Sequence, residues 1–456
     1  MSKRTIKIAS LSIAALSLLA VAGFYFKFSQ DFFHGWQLWR PTLYVFMASV
    51  SWFALTLTDR RWLRAIVWIA ASAALIGALT QFLHTPANSL LGMKAGYMKD
   101  YETNYYAAEE LYEHSGQVYG IEEKYGLENP SVSFPFPTYY YYYASSLWGR
   151  LDARNAAGLF VLLTIVALWA NIWSSLQLAG GTKLLKGETI LPLGLFLILT
   201  TPAISSISMG QASLLASAEV LLGITLVYRK RGGWWLAAGL LIWALGVMTK
   251  PNFVLTWFIF AGVAWQNYRN ENSGAEKLLK TSLFAAVLAP IAILLWMGGT
   301  AAIPGGVSVE TYRAFLTDIF PQLGQRVYWY WNASPVQGLM RLTGGAISSS
   351  VYSVLLIVLY AALGFWKRRG AAFWLPLALL ASAVVWNHYM GLVLPLVLSL
   401  FLLALRKGDL LAVGVALLSA ALLNTILFPA PAIGLLLLAW MSYRYDALEG
   451  ISGRID

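Results

Sequence analysis

Cysteine is absent from this 456-residue chain, which rules out disulfides, thiolate metal sites and cysteine nucleophiles but leaves the compartment open. Charge is scarce: only 12% of residues are Asp, Glu, Lys or Arg, against about 25% in a soluble domain. So few charges cannot solvate a globule of this length. Histidine occurs four times. Phosphate-binding P-loops, dinucleotide fingerprints, His-Glu-x-x-His and Ser-His-Asp signatures are all missing.

What is present is apolar. Hydrophobic residues make up 59% of the chain and the mean hydropathy is +0.63. Runs of the length needed to cross a hydrocarbon layer of about 30 Å recur throughout. They fall at 6–26, 41–58, 62–82, 156–179, 189–204, 211–228, 233–249, 252–267, 280–299, 346–366, 371–385, 387–405, 410–427 and 430–443. This pattern predicts an all-α integral membrane protein, a polytopic bundle of about 12–14 spans in a single domain over 1–456. The first run follows Lys3, Arg4 and Lys7 and contains Ala20-Val21-Ala22, which looks like a signal-peptidase site. It continues through Phe24-Tyr25-Phe26, as an uncleaved signal anchor would.

The net charge of +11 invites a nucleic-acid reading, but the basic residues lie in short clusters between spans and act better as topology determinants. With the N-terminus in the cytoplasm, 21 of the 32 lysines and arginines fall on the cytoplasmic side. That bias sends two long loops, 83–155 and 300–345, to the exoplasmic face of the cell membrane. The 20 Trp and 24 Tyr suit interfacial belts, although tyrosines are unusually dense between 101 and 143.

The first outer loop is acidic and aromatic. As a helix over 100–113, it would carry Tyr101, Tyr105, Ala108 and Tyr112 on one stripe and Glu102, Tyr106, Glu109 and Glu113 on a neighbouring polar one. Such a helix lies along a bilayer surface rather than crossing it. Asp100 stands at its N-terminal end, where the helix dipole favours a carboxylate. The FPFPT stretch at 134–138 then breaks the chain, and Tyr139–Tyr143 approach the membrane again.

Several residues carry alternative readings. Asp100 is either a helix cap or a general base taking the proton of an acceptor hydroxyl as a glycosidic bond forms. Lys250, before Pro251 at the outer end of a span, is either a snorkelling anchor or a fixed cation for a phosphate leaving group. His388 and Asn387 are level with it in this topology and suit either an anion and sugar site or simple interfacial polarity. Arg341 and Arg326 flank the second outer loop as further phosphate ligands or as plain surface charge. Gly210-Gln211 opens a span whose N-terminus either receives an anion or merely starts a helix. Glu219 is the one acid deep in an apolar run, a functional candidate or a structural hydrogen-bonding group. Glu102 has no converging acid or histidine and reads as a solvated side chain, so no metal site or cofactor is expected. The Asn332-Ala333-Ser334 glycosylation sequon is followed by Pro335, which disfavours its use.

Asp100-Tyr101, Tyr105-Tyr106-Ala107-Ala108 and Gly116…Tyr119 resemble the opening motif of glycosyltransferase family 87, whose GT-C members use polyprenyl-phosphate sugars and are best known as mannosyltransferases. Phe134-Pro135-Phe136-Pro137-Thr138, Gly210-Gln211, Gly239, Lys250-Pro251, Asn332-Ala333-Ser334 with Gly338 and Arg341, and His388-Tyr389 with Pro395 are similar to that family's later elements and follow the same order over about 95–400. Two extra early spans, Asn104 in place of a common aromatic, and Phe136 and Thr138 in place of Tyr and Pro depart from the family pattern. The resemblance implies inverting transfer of a hexose, mannose first, from a polyprenyl phosphate to a lipid-linked glycan or glycolipid at the bilayer, with no nucleic-acid partner. It implies Asp100 as base, with Lys250, His388, Arg341 and Arg326 on the donor phosphate. Tyr101, Tyr105, Gln211, Asn332 and Asn387 would line the substrate groove. An arabinofuranosyl donor, a surface-polysaccharide polymerase or ligase, and a lipid-linked substrate transporter are the competing expectations.

Overall fold

A computed structural model describes residues 8–9, 11–16, 18–20, 101, 104–105, 153–178, 200, 202–203, 206, 209–228, 232–268, 273–302, 307–315, 317, 332–425 and 428–445. Asp100, Glu102, Arg326, Tyr139–Tyr143 and the expected spans 41–58 and 62–82 lie outside the described residues. Among the described residues every regular element is helical. In chain order the first are α1 (Ala153–Leu178), α2 (Ser213–Val227), α3 (Gly232–Thr249), α4 (Phe258–Asn267) and α5 (Ser273–Ala302). They are followed by α6 (Val309–Ala314), α7 (Pro335–Leu342), α8 (Ser349–Trp366), α9 (Ala371–Trp374) and α10 (Leu377–Leu380). The last three are α11 (Leu394–Lys407), α12 (Leu410–Leu423) and α13 (Ala430–Tyr445).

Helices α2 and α3 form the centre. Both are apolar on all sides, and they run antiparallel with backbones in near contact. A Cβ on Gly223 would lie 2.5 Å from the Trp243 amide nitrogen, and one on Gly246 would lie 2.6 Å from the Ala216 carbonyl oxygen. Small residues at such a seam let dispersion and backbone contact replace a hydrophobic driving force, as helix pairs in lipid require. Trp243 completes the seam by donating from Nε1 to the Thr256 hydroxyl at 2.9 Å. Nearby, Trp374 is wholly buried between Gly262 and Gly364, against the rings of Phe258, Phe365 and Phe373.

Among the described residues, two helices are long and apolar enough to cross a membrane, Gly274–Ala302 with mean hydropathy 2.2 and Ser349–Trp366 with 1.8. Only 28% and 11% of their apolar windows are covered by the rest of the protein. The core helix of a soluble protein would be mostly covered. Phe284, Val287, Leu294, Val351, Val354 and Val358 instead point outward from α5 and α8.

Three expected spans are interrupted. The 252–267 run begins as a 3₁₀ turn, Pro251–Trp257, before α4, with Pro251 at its first position where a missing N–H costs nothing. The 371–385 run gives only α9 and α10, with Pro376 between them, and then an irregular stretch. The 387–405 run starts as a 3₁₀ turn, Asn387–Leu392, and becomes α11 only at Leu394. Apolarity alone could not reveal these breaks. Non-helical backbone persists inside an apolar bundle only where other groups satisfy it, and here the partners come from distant segments. Ala333 N–H donates to the Val385 carbonyl at 2.8 Å, and Val385 N–H donates to Asn332 Oδ1 at 2.9 Å.

The turns gather at two ends. At one, Gln211, Lys250, Asn252, Asn332 and the 382–389 stretch are joined by hydrogen bonds. At the other, Tyr228 meets Ser282, Trp265 meets Phe365, Arg369 meets Tyr443, and Asp409 meets Arg444.

Candidate functional site

The first end collects most of the described candidates. Lys250 closes α3 with extended backbone and caps the turn that starts at Pro251, so its side chain turns back into the protein. It is 7% exposed. Its ammonium donates to Gln211 Oε1 at 3.0 Å and stands 5.2 Å from the centre of the Tyr389 ring. Both of these contacts are with neutral groups that suit a cation. Tyr389 is in turn fixed edge-on by Phe253 at 6.1 Å and by His388 at 4.9 Å.

His388 lies in the 3₁₀ turn that precedes α11 and is 6% exposed. Its Nε2 is buried without a hydrogen-bond partner. Asn387 donates from Nδ2 to the Thr425 carbonyl at 2.9 Å, which leaves its Oδ1 buried and unpartnered. His388 Nε2 and Asn387 Oδ1 are thus buried polar atoms on consecutive residues, and leaving such atoms without a partner is costly.

Asn332 and Ser334 build the rim. The Asn332 amide donates to the Ala383 carbonyl at 2.9 Å, and its Oδ1 accepts from the Ser334 and Val385 N–H groups. Ser334 caps α7 by accepting from Val336 N–H at 3.1 Å and donates its own hydroxyl to the Ser382 carbonyl. The Asn-x-Ser spacing therefore clamps two chain segments together, a use the sequon reading did not contain. Asn252 does the same on the other side, donating to the Val384 carbonyl at 2.7 Å.

Gly210 adopts a left-handed φ of +71°, and a Cβ there would fall 2.2 Å from Tyr101 Cβ. Tyr101 therefore lies against the open face of this glycine. Tyr101 and Tyr105 are buried, 1% and 8% exposed. Their rings lie 6.2 Å apart, and that of Tyr101 is 5.2 Å from Phe160. Asp100 is one peptide bond from Tyr101.

Arg341 is not part of this cluster. It is exposed on α7, and its guanidinium lies 5.0 Å from the Phe428 ring centre. Glu219 sits in the middle of α2 with Oε2 buried and unpartnered. Asn252 is a contributor that the sequence did not single out, while Tyr389 and Ser334 entered only as parts of quoted motifs and not as site residues. The signals were available in the His-Tyr pair, in Pro251 followed by Asn, and in Ser before Pro335, which reads as a capped helix start. Among the described residues no group of three or more His, Cys, Asp or Glu converges on a metal position. No protein-family model matches this chain, and neither the curated proteins nor the solved structures contain a match.

Proposed function

We propose that the chain is a polytopic membrane glycosyltransferase of the GT-C type. It moves a hexose, mannose first, from a polyprenyl phosphate to a lipid-linked glycan or glycolipid on the exoplasmic face. One observation carries this reading: a buried ammonium at Lys250 and the buried, unpartnered Nε2 of His388, both packed against the Tyr389 ring. An imidazole N–H and a fixed cation suit the oxygens of a phosphate whose charge grows as the sugar departs.

The base belongs on the acceptor side. The acceptor hydroxyl must lose its proton as its oxygen bonds to the anomeric carbon and the sugar–phosphate bond breaks. The phosphate leaves as a stable anion and needs no strong acid, so one carboxylate suffices. Contacts run from Tyr101 to Gly210, and from Gln211 to Lys250, with Asp100 next to Tyr101 in the chain. In this reading Gln211 and Asn387 orient the donor and Asn332 holds the rim. The exposed apolar surfaces of α5 and α8 suit a bilayer, from which a lipid-borne donor enters sideways.

The test uses purified full-length protein with synthetic polyprenyl-phosphate mannose, its arabinose counterpart and a lipid acceptor. Mannosyl product is expected. Lys250→Ala should slow transfer by about 10²–10³, the usual cost of removing one group that stabilises developing charge. Arabinosyl product would move the donor class. Full activity of a folded Asp100→Asn protein would end the catalytic assignment. A polymerase or ligase leaning on Arg341 would instead lose activity with Arg341→Ala and keep it with Asp100→Ala. Catalysis in detergent, with no second compartment, would exclude pure transport.

A further inference from the structure

The opposite end of the bundle carries a second arrangement that sugar transfer does not use. Four cations there each lie over an aromatic ring. Lys367 stands 4.1 Å from the Trp366 centre and Arg369 3.8 Å from Tyr443, while Lys407 and Arg444 each stand 5.5 Å from Tyr445 and Trp440. Arg368 adds a fifth cation between the first two, held at a positive φ of 50°. Three connections converge to make this surface: the α8–α9 turn, the α11–α12 turn and the end of α13.

Among the described residues of the cluster the only carboxylate is Asp409, and it is fully engaged. It accepts from the Ala412 N–H at 3.1 Å, from Arg444 at 2.8 Å and from the Tyr445 hydroxyl. Arg369 is different. Its guanidinium lies over the Tyr443 ring, yet its Nε is buried with no hydrogen-bond acceptor. Trp366 and Trp440, the rings beneath two of the cations, remain 75% and 38% exposed.

We propose that this end binds the phosphodiester headgroup of an anionic membrane phospholipid. Exposed indoles with cations above them suit the headgroup level of a bilayer, where the ring sits among acyl chains and the charge meets phosphate. A guanidinium fork lying over a ring presents paired donors to phosphate oxygens. The excess of positive charge and the position at the end that the positive-inside distribution assigns to the cytoplasm both select an anionic lipid of the inner leaflet. The inference rests on the reading that the helices span a membrane, but it does not depend on the transferred sugar or on Asp100.

The experiment is binding of short-chain phosphatidylglycerol to purified full-length protein in neutral detergent. Binding is followed by native mass spectrometry and by the unfolding midpoint, with phosphatidylcholine and inorganic phosphate as the other arms. Phosphatidylglycerol should be retained and should raise the midpoint. Phosphatidylcholine and phosphate should do neither. Arg369→Gln should weaken retention by about tenfold or more, as should Lys367→Gln with Arg368→Gln, two exposed positions whose change does not endanger folding. Lys277→Gln with Lys280→Gln removes the same charge from the start of α5 and should leave retention unchanged. Equal loss in that control would reduce the effect to diffuse charge and overturn the site. Stabilisation by inorganic phosphate alone would replace the lipid with a soluble anion. A protein that stays soluble without detergent would instead overturn the membrane reading itself.

Discussion

Replacing Gly210 by alanine tests whether the junction beneath Tyr101 is as close as it looks. Two costs add. A residue with a side chain at φ +71° gives up about 1–2 kcal/mol that glycine does not. The new methyl would stand 2.2 Å from Tyr101 Cβ and 2.9 Å from its backbone nitrogen, well inside the ~3.5–4.0 Å optimum for carbon contacts. Relieving such overpacking costs about 1–3 kcal/mol more, because backbone and not a flexible side-chain tip must move. The total is about 2–5 kcal/mol, measured as the midpoint of denaturant unfolding in detergent by tryptophan fluorescence. Sugar transfer should fall with it, since the displaced residue is bonded to Asp100. The second half of the cycle places Gly210→Ala in a Tyr101→Gly background, which removes the atom at 2.2 Å. The penalty should then shrink by about 1 kcal/mol or more, the coupling expected of residues in direct contact. An unchanged midpoint for Gly210→Ala, or the same loss in both backgrounds, would refute the reasoning.

Two further expectations concern other regions. The Asp409 carboxyl is held below its usual 3.8, first by the Tyr445 hydroxyl, then by the Ala412 N–H and by Arg444. Its contribution is present at neutral pH and is lost as pH falls from 3.8 through the lowered value, so Asp409→Asn should be less stable at pH 7 and lack that acid-side loss. Gly262→Ala would bring a methyl to 1.8 Å from Trp374 Nε1 and should destabilise by about 1–3 kcal/mol. Trp374→Phe in that variant should restore part of the loss, read by thermal unfolding.

Helices α1, α2, α3, α5, α8, α12 and α13 lie close to the apolar runs from which they are expected. Length and uniform apolarity are properties of a local window, so a sequence displays them directly. The interrupted runs at 252–267, 371–385 and 387–405 were not legible in that way. In the 371–385 run the freed Ser382, Ala383 and Val384 carbonyls are bonded by Ser334, Asn332 and Asn252, partners that lie 48 to 132 residues away. No window contains both halves of such a bond.

The same division holds for the site. Composition and spacing by themselves determined that this chain is helical and apolar, and which polar residues interrupt its apolar runs. They selected Lys250, Gln211, His388 and Asn387 as residues of interest, and Asn332 entered through the family resemblance. Only tertiary structure decided that Gln211 and Tyr389 hold the Lys250 ammonium, that His388 Nε2 is left without a partner, and that Arg341 stands apart on Phe428. It also placed Tyr101 and Tyr105 among the buried aromatic rings. The physical reason is that side-chain identity is local, whereas burial and hydrogen-bond satisfaction belong to the whole packing arrangement. A lysine in a sequence is a charge; its surroundings decide what that charge can hold.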